Sequence, residues 1–135
     1  MKSSQRVTPP SADDYSTAAT LREALRRFSR RTELVARSHR LTPRTYLLLL
    51  MLKTGRDQSG RAGLTELEER LQLGKSTVTE LVLRSEAAGL VRRELDPARR
   101  RSISVRITSA GERRLAEVVR DLGDERARLL ELLGD

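Results

Sequence analysis

Three consecutive arginines, Arg99, Arg100 and Arg101, follow the turn-forming residues Asp96-Pro97-Ala98. A guanidinium group is a planar, permanently charged fork of hydrogen-bond donors that fits phosphate oxygens and the acceptor edge of guanine. Holding three such charges in one short segment costs self-repulsion unless an anion neutralises it. The triplet therefore predicts a site at which Arg99, Arg100 and Arg101 contact DNA.

A second set of polar side chains lies upstream, in the segment that begins at Gly74. If this segment is a helix with Val78, Leu81 and Val82 turned inward, its hydroxyl and charged side chains face outward. These candidate DNA contacts are Lys75, Ser76, Thr77, Thr79, Glu80 and Arg84. Side chains of this kind meet phosphates and base edges in the major groove. An ordinary surface helix has the same pattern, and it is the neighbouring triplet that favours the DNA interpretation.

The residues that enzymes and metal centres need are nearly absent. The sequence has no cysteine and a single histidine, His39, which excludes a disulfide framework, a thiolate metal site and a cysteine nucleophile. Gly74-Lys75-Ser76-Thr77 resembles the end of a phosphate-binding P-loop, but Glu69 stands where that motif requires its first glycine. The sequence predicts a protein that is not an enzyme and has no cofactor or metal ion.

The positive charge of the chain is localised. Its 135 residues include 27 lysines and arginines against 19 acids, a net charge of +8, and 24 of these cations are arginine. Residues 90–107 hold six arginines and two acids, whereas residues 111–135 hold five cations and seven acids. A generally solvated basic surface would mix the charges more evenly, so the distribution favours a polyanionic partner at residues 90–107.

The hydrophobic pattern predicts helices on both sides of this basic segment. Apolar residues recur at three- and four-residue steps over 16–38, and Thr42-Pro43 has the residue types of a helix N-cap and first helical position. The apolar run from Tyr46 to Leu52 predicts a helix buried on most sides. Residues 54–63 read as a glycine-rich loop. Thr108 is expected to cap a last helix, in which Gly123 is a candidate break.

A short helix–turn–helix is predicted in the middle of the chain. Thr65-Glu66-Leu67-Glu68 has the form of a capping box and predicts a helix that ends near Leu71. After the turn at 72–74, a second helix is expected from Lys75 to Ala88, with Gly89 as its C-terminal stop.

A hairpin should follow this pair of helices. Residues 90–95 and 102–107 read as strands, and Ile103, Val105 and Ile107 alternate with polar residues, which places them on the buried face of the second strand. A helix–turn–helix followed directly by a hairpin is the outline of a winged helix.

The predicted fold is thus mainly α with a small β-hairpin, in one domain over 16–135 whose winged helix–turn–helix core spans 41–107. Residues 1–15 read as a flexible arm. The N-terminus lacks the apolar segment of a signal peptide, and the longest apolar run, Tyr46 to Leu52, is too short to span a bilayer. We expect a cytoplasmic protein with no membrane partner.

Three stretches of the chain also match known motifs. Leu41-Thr42-Pro43-Arg44-Thr45-Tyr46 is similar to an LTxxQ[WYF] helix start, with Thr45 in place of glutamine. Leu67-Glu68-Glu69-Arg70-Leu71 and Ser76-Thr77-Val78-Thr79 are similar to an LAxxL and STVT pair. The stretch from Gly89 to Gly111 is similar to GLVxR, DPxDRR and VxLTxxG in succession. In this order and spacing, the motifs resemble the MarR family of bacterial winged-helix transcription regulators.

The resemblance implies a homodimer that binds a pseudo-palindromic operator on double-stranded DNA, usually as a repressor that a small aromatic or phenolic effector releases. It implies that the recognition helix enters the major groove and that Arg100, which matches the wing arginine, enters the flanking minor groove with Arg101 beside it. Residues 16–38 and 109–135 would be the dimerisation helices. The region that matches the effector pocket offers Phe28, His39, Arg44 and Tyr46.

Besides Thr45, the sequence departs from the family pattern at four positions. Arg99 replaces the second aspartate of the wing motif, and Glu80 stands where a basic residue is frequent. Ser85 occupies a usual core leucine position, while Leu83 is apolar where the family is polar. Two other functions fit the same residues. One is an architectural protein that binds DNA without sequence preference, and the other is a winged helix that binds a protein through Leu83.

Overall fold

The computed structural model describes residues 8–55, 58–96, 98 and 102–134. Within these ranges, six helices and three strands follow one another along the chain. They are α1 (Ala12–Ser38), α2 (Pro43–Lys53), β1 (Arg61–Gly63), α3 (Leu64–Leu71), α4 (Lys75–Ala87), β2 (Val91–Leu95), β3 (Ile103–Ile107), α5 (Ser109–Asp121) and α6 (Gly123–Gly134). The predicted winged helix–turn–helix is confirmed in α2–α4 and the β2–β3 hairpin.

A third strand, β1, completes the sheet. The strand order is β1-β3-β2, and β3 pairs antiparallel with both neighbours. The sequence predicted a loop over 54–63, which was wrong at 61–63. A three-residue strand is too short to show a periodic pattern. The fold makes room for it at Gly55, where a Cβ atom would lie 2.2 Å from the Arg61 carbonyl oxygen.

Helix α1 begins earlier than predicted. Residues 12–15 belong to this helix rather than to an arm over 1–15, because Ser11 and Asp14 form a capping box. The Ser11 hydroxyl oxygen accepts from the Asp14 amide at 3.1 Å, and the Asp14 carboxylate accepts from the Ser11 amide at 2.8 Å. Residues 1–7 of the predicted arm lie outside the described ranges.

Threonine caps were predicted correctly at two of three helix starts. Thr42 accepts a hydrogen bond from the Thr45 amide and Thr108 accepts one from the Gly111 amide, both at 3.1 Å. Thr65, in contrast, lies inside α3, whose N-cap is Gly63. The helix begins directly at the end of β1, so the strand fixes its start before the threonine is reached.

Helix α2 lies at the centre of the core. Leu48, Leu49 and Leu52 are fully buried against side chains from the other helices and the sheet, as the apolar run predicted. Leu47 departs from that prediction, because 41% of it is exposed.

The prediction that Ile103, Val105 and Ile107 form the buried face of β3 was also only partly right. Val105 and Ile107 are buried, but Ile103 pairs with Leu95 at the far end of the hairpin and is exposed. Ser104 is 1% exposed instead, because it lies in the central strand between Gly63 and Glu94.

The C-terminal segment breaks at Gly123, as predicted. Helix α5 ends at Asp121, and α6 starts at Gly123 and packs against α1, with Arg31 and Glu125 3.5 Å apart. Across the described ranges, no helix is long and apolar enough to cross a membrane.

Thr108 joins three elements at one point. Its hydroxyl donates to the Gly89 carbonyl at 2.7 Å and accepts from the Gly111 amide, while its own amide donates to the Leu90 carbonyl at 3.0 Å. The end of α4 and the start of α5 are therefore fixed to the same residue.

Candidate nucleic-acid interface

The turn between α3 and α4 positions the second helix of the pair. Gln72 adopts a left-handed conformation with φ of 56°, and its side-chain amide donates to the Glu69 carbonyl at 2.7 Å. The amide of Leu73 donates to the Glu68 carbonyl. A residue other than glycine is uncommon in this backbone region, and the side-chain hydrogen bond to Glu69 helps to hold Gln72 in it.

Helix α4 presents the polar face that the sequence predicted. Val78, Leu81 and Val82 are buried. The exposed candidates are Lys75, Ser76, Thr79, Glu80 and Arg84, and Thr77 is half-buried.

On this face of α4, the N-terminal end of the helix is the part that attracts a phosphate most strongly. Gly74 caps α4 without a side-chain acceptor, so the first amides of the helix are free of a capping side chain. Glu80 and Arg84 lie 3.6 Å apart and are both largely exposed. The opposite charges of Glu80 and Arg84 offset each other. A phosphate is therefore attracted mainly by Lys75 and by the positive end of the helix dipole.

The hairpin next to α4 carries the predicted arginine triplet. At its far end, the Asp96 amide donates to the Ser102 carbonyl and the Asp96 carboxylate accepts from the Ala98 amide, both at 2.9 Å. Arg99, Arg100 and Arg101 themselves lie outside the described residues. Because the carboxylate of Asp96 accepts from the Ala98 amide, it is bound to the backbone of the turn.

Three arginines line the outer face of the sheet, and one of them, Arg61, was not predicted from the sequence. Arg61 stands directly opposite Arg106, and Arg106 stands opposite Arg92. Glu94 lies on the same face. Arg61 could not be assigned to this row because β1 itself was not predicted, although the alternation in 102–107 had placed Arg106 on the exposed face.

The four predicted effector residues occupy different environments. Tyr46 is buried in the core, and this desolvation raises the pKa of its hydroxyl above 10.0, with Arg126 opposing the shift. His39 lies between two carboxylates of α5, with Nε2 2.8 Å from Asp121 and Nδ1 3.3 Å from Glu117. Phe28 is half-buried on α1 and Arg44 is exposed.

A cleft elsewhere is large enough for a small molecule. It measures about 580 Å³ between α2 and α5, with Leu50, Leu115 and Val119 in its wall and Lys53 and Glu112 at its edge. None of the four predicted effector residues lines it. Over the part of the chain that the structure describes, no cluster of potential metal ligands occurs.

Solved structures of transcription regulators share this fold. AbsC, a MarR family transcriptional regulator from Streptomyces coelicolor, matches with a TM-score of 0.78 and 22% identity over 94% of this chain and 84% of that chain. Sco3205, a MarR family transcriptional regulator from the same organism in complex with DNA, matches with a TM-score of 0.74 and 21% identity, over 94% of this chain and 79% of that chain.

A mutant MarR from E. coli complexed with operator DNA has a TM-score of 0.69 and 16% identity, over 86% of this chain and 81% of that chain. No protein-family model and no curated protein matches the sequence. At these identities the likeness establishes the fold, and it agrees with the motifs between Leu41 and Gly111. The chain therefore has the winged-helix fold of the MarR-family transcriptional regulators.

Proposed function

We propose that this protein is a dimeric, sequence-specific DNA-binding transcription regulator of the MarR type that acts as a repressor. The observation that carries the proposal is the exposed polar face of α4 beside a hairpin whose two strands are joined, in the sequence, by a segment with three consecutive arginines. In a winged helix, one docking movement would bring both to the same stretch of duplex.

Helix α4 supplies the sequence readout in this proposal. Lys75 and the free amides at the helix start would contact phosphates, while Thr77 and Thr79 would reach base edges in the major groove. Glu80 has the chemistry to accept a hydrogen bond from a cytosine amino group. A carboxylate close to phosphates lowers the affinity for DNA wherever no cytosine amino group is there to bind it. Glu80 would therefore narrow the range of DNA sequences that the protein binds.

The hairpin would supply the wing. Arg100, with Arg99 and Arg101 beside it, would enter the minor groove that flanks the α4 contact. A narrow minor groove concentrates negative potential, so an arginine there adds affinity and reads groove width rather than individual bases.

A two-fold dimer would present two such modules. Leucines and a tyrosine on α1 and α6 are exposed in the single chain, which supports an interface between these helices of two copies. They are Tyr15, Leu21, Leu130, Leu132 and Leu133. Such a dimer would bind a pseudo-palindromic operator, and to reach two successive major grooves its α4 helices would lie about 34 Å apart, one turn of DNA.

Release by a small aromatic or phenolic effector completes the proposal. The cleft between α2 and α5 has the volume and the apolar wall that such a molecule needs. A panel of substituted phenols and benzoates, added to a preformed protein–DNA complex, tests this part. We expect at least one compound to weaken the complex, and a panel without effect would remove effector release from the proposal.

The central test is selection of bound duplexes from a random pool, followed by fluorescence anisotropy with the selected and a scrambled duplex. We expect an enriched two-fold symmetric sequence, bound much more tightly than the scrambled one at physiological salt. Equal affinity for both duplexes would instead identify a non-specific architectural protein. No binding at low salt would point to a winged helix that binds protein.

A further inference from the structure

The outer face of the sheet carries a compact block of polar residues. Arg61, Arg106 and Arg92 stand side by side on β1, β3 and β2, because the register pairs each with the next. The adjacent row on the same face contains Gly63, Ser104 and Glu94. The opposite face packs Ala62, Val91, Val105 and Ile107 into the core, so this block lies on the side of the sheet away from the core.

The block has more positive than negative charge. A single oxygen of Glu94 accepts from both Arg61, at 3.0 Å, and Arg106, at 3.2 Å. Among the residues that the structure describes, Arg92 has no ionic partner. The three guanidinium groups and one carboxylate leave a net charge of +2, in a geometry where like charges directly opposite one another are destabilising.

Two buried polar atoms of the block also lack hydrogen-bond partners. These are the hydroxyl of Ser104, a residue only 1% exposed, and Nε of Arg61. This holds for partners within the described ranges. Buried donors without partners are costly and uncommon. Both flank the contact between Arg61 and Glu94, so unused donors and surplus positive charge coincide at one place.

We propose that the outer face of this sheet binds a phosphate group through Arg61, Arg92, Arg106 and Ser104. A phosphate is the matching ligand because it carries up to two negative charges and several acceptor oxygens, which fit bidentate guanidinium groups and a hydroxyl donor. Glu94 holds two of the arginines in place, and Gly63 leaves the space beside Ser104 without a side chain.

Two sources can supply this phosphate. One is a free phosphorylated small molecule. The other is the backbone of DNA that continues past the wing, and this source rests on the proposed function. Arg92 lies three residues from Leu95, about 10 Å from the end of β2 at 3.3 Å per residue. We expect DNA to reach Arg92 only where the duplex extends past the two half-sites.

Thermal unfolding in phosphate or pyrophosphate, against chloride at equal ionic strength, tests the free source. We expect a higher Tm in phosphate for the wild type and a smaller increase for Arg92→Gln and Ser104→Ala. Ser85→Ala is the matched control, because Ser85 is equally buried with an unpartnered hydroxyl but lies on α4. Both serine variants remove an unpartnered hydroxyl, and only Ser104→Ala should reduce the response to phosphate.

Fluorescence anisotropy with a mixed-sequence duplex of about 20 base pairs and one of about 40 tests the DNA source. We expect the longer duplex to bind the wild type more tightly, with Arg92→Gln lowering its affinity about tenfold and its salt slope by about one. Arg120→Gln, an exposed arginine on α5, should leave both unchanged.

The two arms separate the possible failures. A response to phosphate that depends on Arg92 and Ser104, or an effect of duplex length that depends on Arg92, supports the site and identifies the source. If neither phosphate nor duplex length distinguishes the variants from the wild type, the site is wrong. If no duplex binds at all, the proposed DNA-binding function fails, while the phosphate arm still decides on the site.

Discussion

Gly111 shows at the scale of one residue why a motif position needs glycine. A Cβ atom there would lie 2.4 Å from the Leu90 carbonyl oxygen and 2.9 Å from a side-chain carbon of Ile107. The close approach exists because Thr108 holds the start of α5 against the end of α4. The glycine in the TxxG motif is thus a packing requirement rather than a turn requirement.

We therefore expect Gly111→Ala to lower the free energy of unfolding by about 1–3 kcal/mol, the usual cost of overpacking. Urea denaturation measures the change. Gly123→Ala is the control, because the nearest atom to its Cβ would be an arginine nitrogen at 3.8 Å. A Gly111→Ala variant as stable as the control would mean that α5 shifts away at no cost.

Tyr46 gives a second prediction at this scale. Its pKa is raised because burial disfavours the phenolate. The stability that the neutral hydroxyl contributes is therefore fully present below the unfolded pKa near 10.0 and is lost as the pH rises through the higher folded value.

Urea denaturation between about pH 8 and pH 11 should show the wild type losing more stability than Tyr46→Phe, which has no group to ionise. Other lysine and tyrosine side chains titrate in both proteins, so the difference between the two isolates Tyr46. Parallel pH profiles would contradict the assignment.

At the scale of elements, α4 and the wing have separable roles in the proposed function. Thr79 is exposed on α4, so Thr79→Val keeps the shape of the side chain and removes only its hydroxyl. We expect the preference between operator variants to change by about 1–3 kcal/mol, as for a lost base contact. Thr17→Val, on the exposed start of α1, is the matched control.

Arg100→Gln should act differently, weakening all duplexes to a similar degree and lowering the salt slope by about one. Anisotropy titrations with the selected duplex and its single-base variants distinguish the two patterns. If Arg100→Gln changed the order of preference while Thr79→Val lowered all affinities equally, the roles of helix and wing would be reversed.

Elements were predictable where a local signal decided them. The helix starts at Thr42-Pro43 and at Thr108 could be predicted because a capping hydroxyl accepts from an amide only three residues away. Thr65 misled because the preceding strand, which pairs with residues more than forty positions later, set the start of α3. The outward face of α4 followed from its period, whereas the row formed by Arg61, Arg92 and Arg106 depends on that same long-range pairing.

For the whole molecule, the winged-helix core was predictable and the surroundings of the candidate effector residues were not. The order of helices and strands can be read from periodicity, but His39 meets Asp121 only because α1 and α5 pack together. Ile103 illustrates the same limit, since it is exposed at the far end of the hairpin, opposite Leu95, although it alternates in sequence with buried residues.

The proposed dimer makes a prediction at this scale. Leu133 on α6 is 54% exposed and Leu83 on α4 is 45% exposed. We expect Leu133→Glu to convert the dimer to a monomer in light scattering and to weaken operator binding, because a charge would be buried at the interface. Leu83→Glu should remain dimeric. A Leu133→Glu protein of unchanged mass would exclude this part of α6 from the interface.

The attachment of two helices to Thr108 has a consequence for the proposed binding to two half-sites of one duplex. Helix α5 is 13 residues long, a rod of about 20 Å at 1.5 Å per residue. The start of α5 is fixed to the end of α4. If α5 tilts by about 10° about its far end, α4 is displaced by about 3 Å, roughly one base-pair step. In a two-fold dimer both copies tilt together and the error doubles. In the proposed dimer, the angle at which the two copies meet would therefore determine which spacing between paired half-sites is bound.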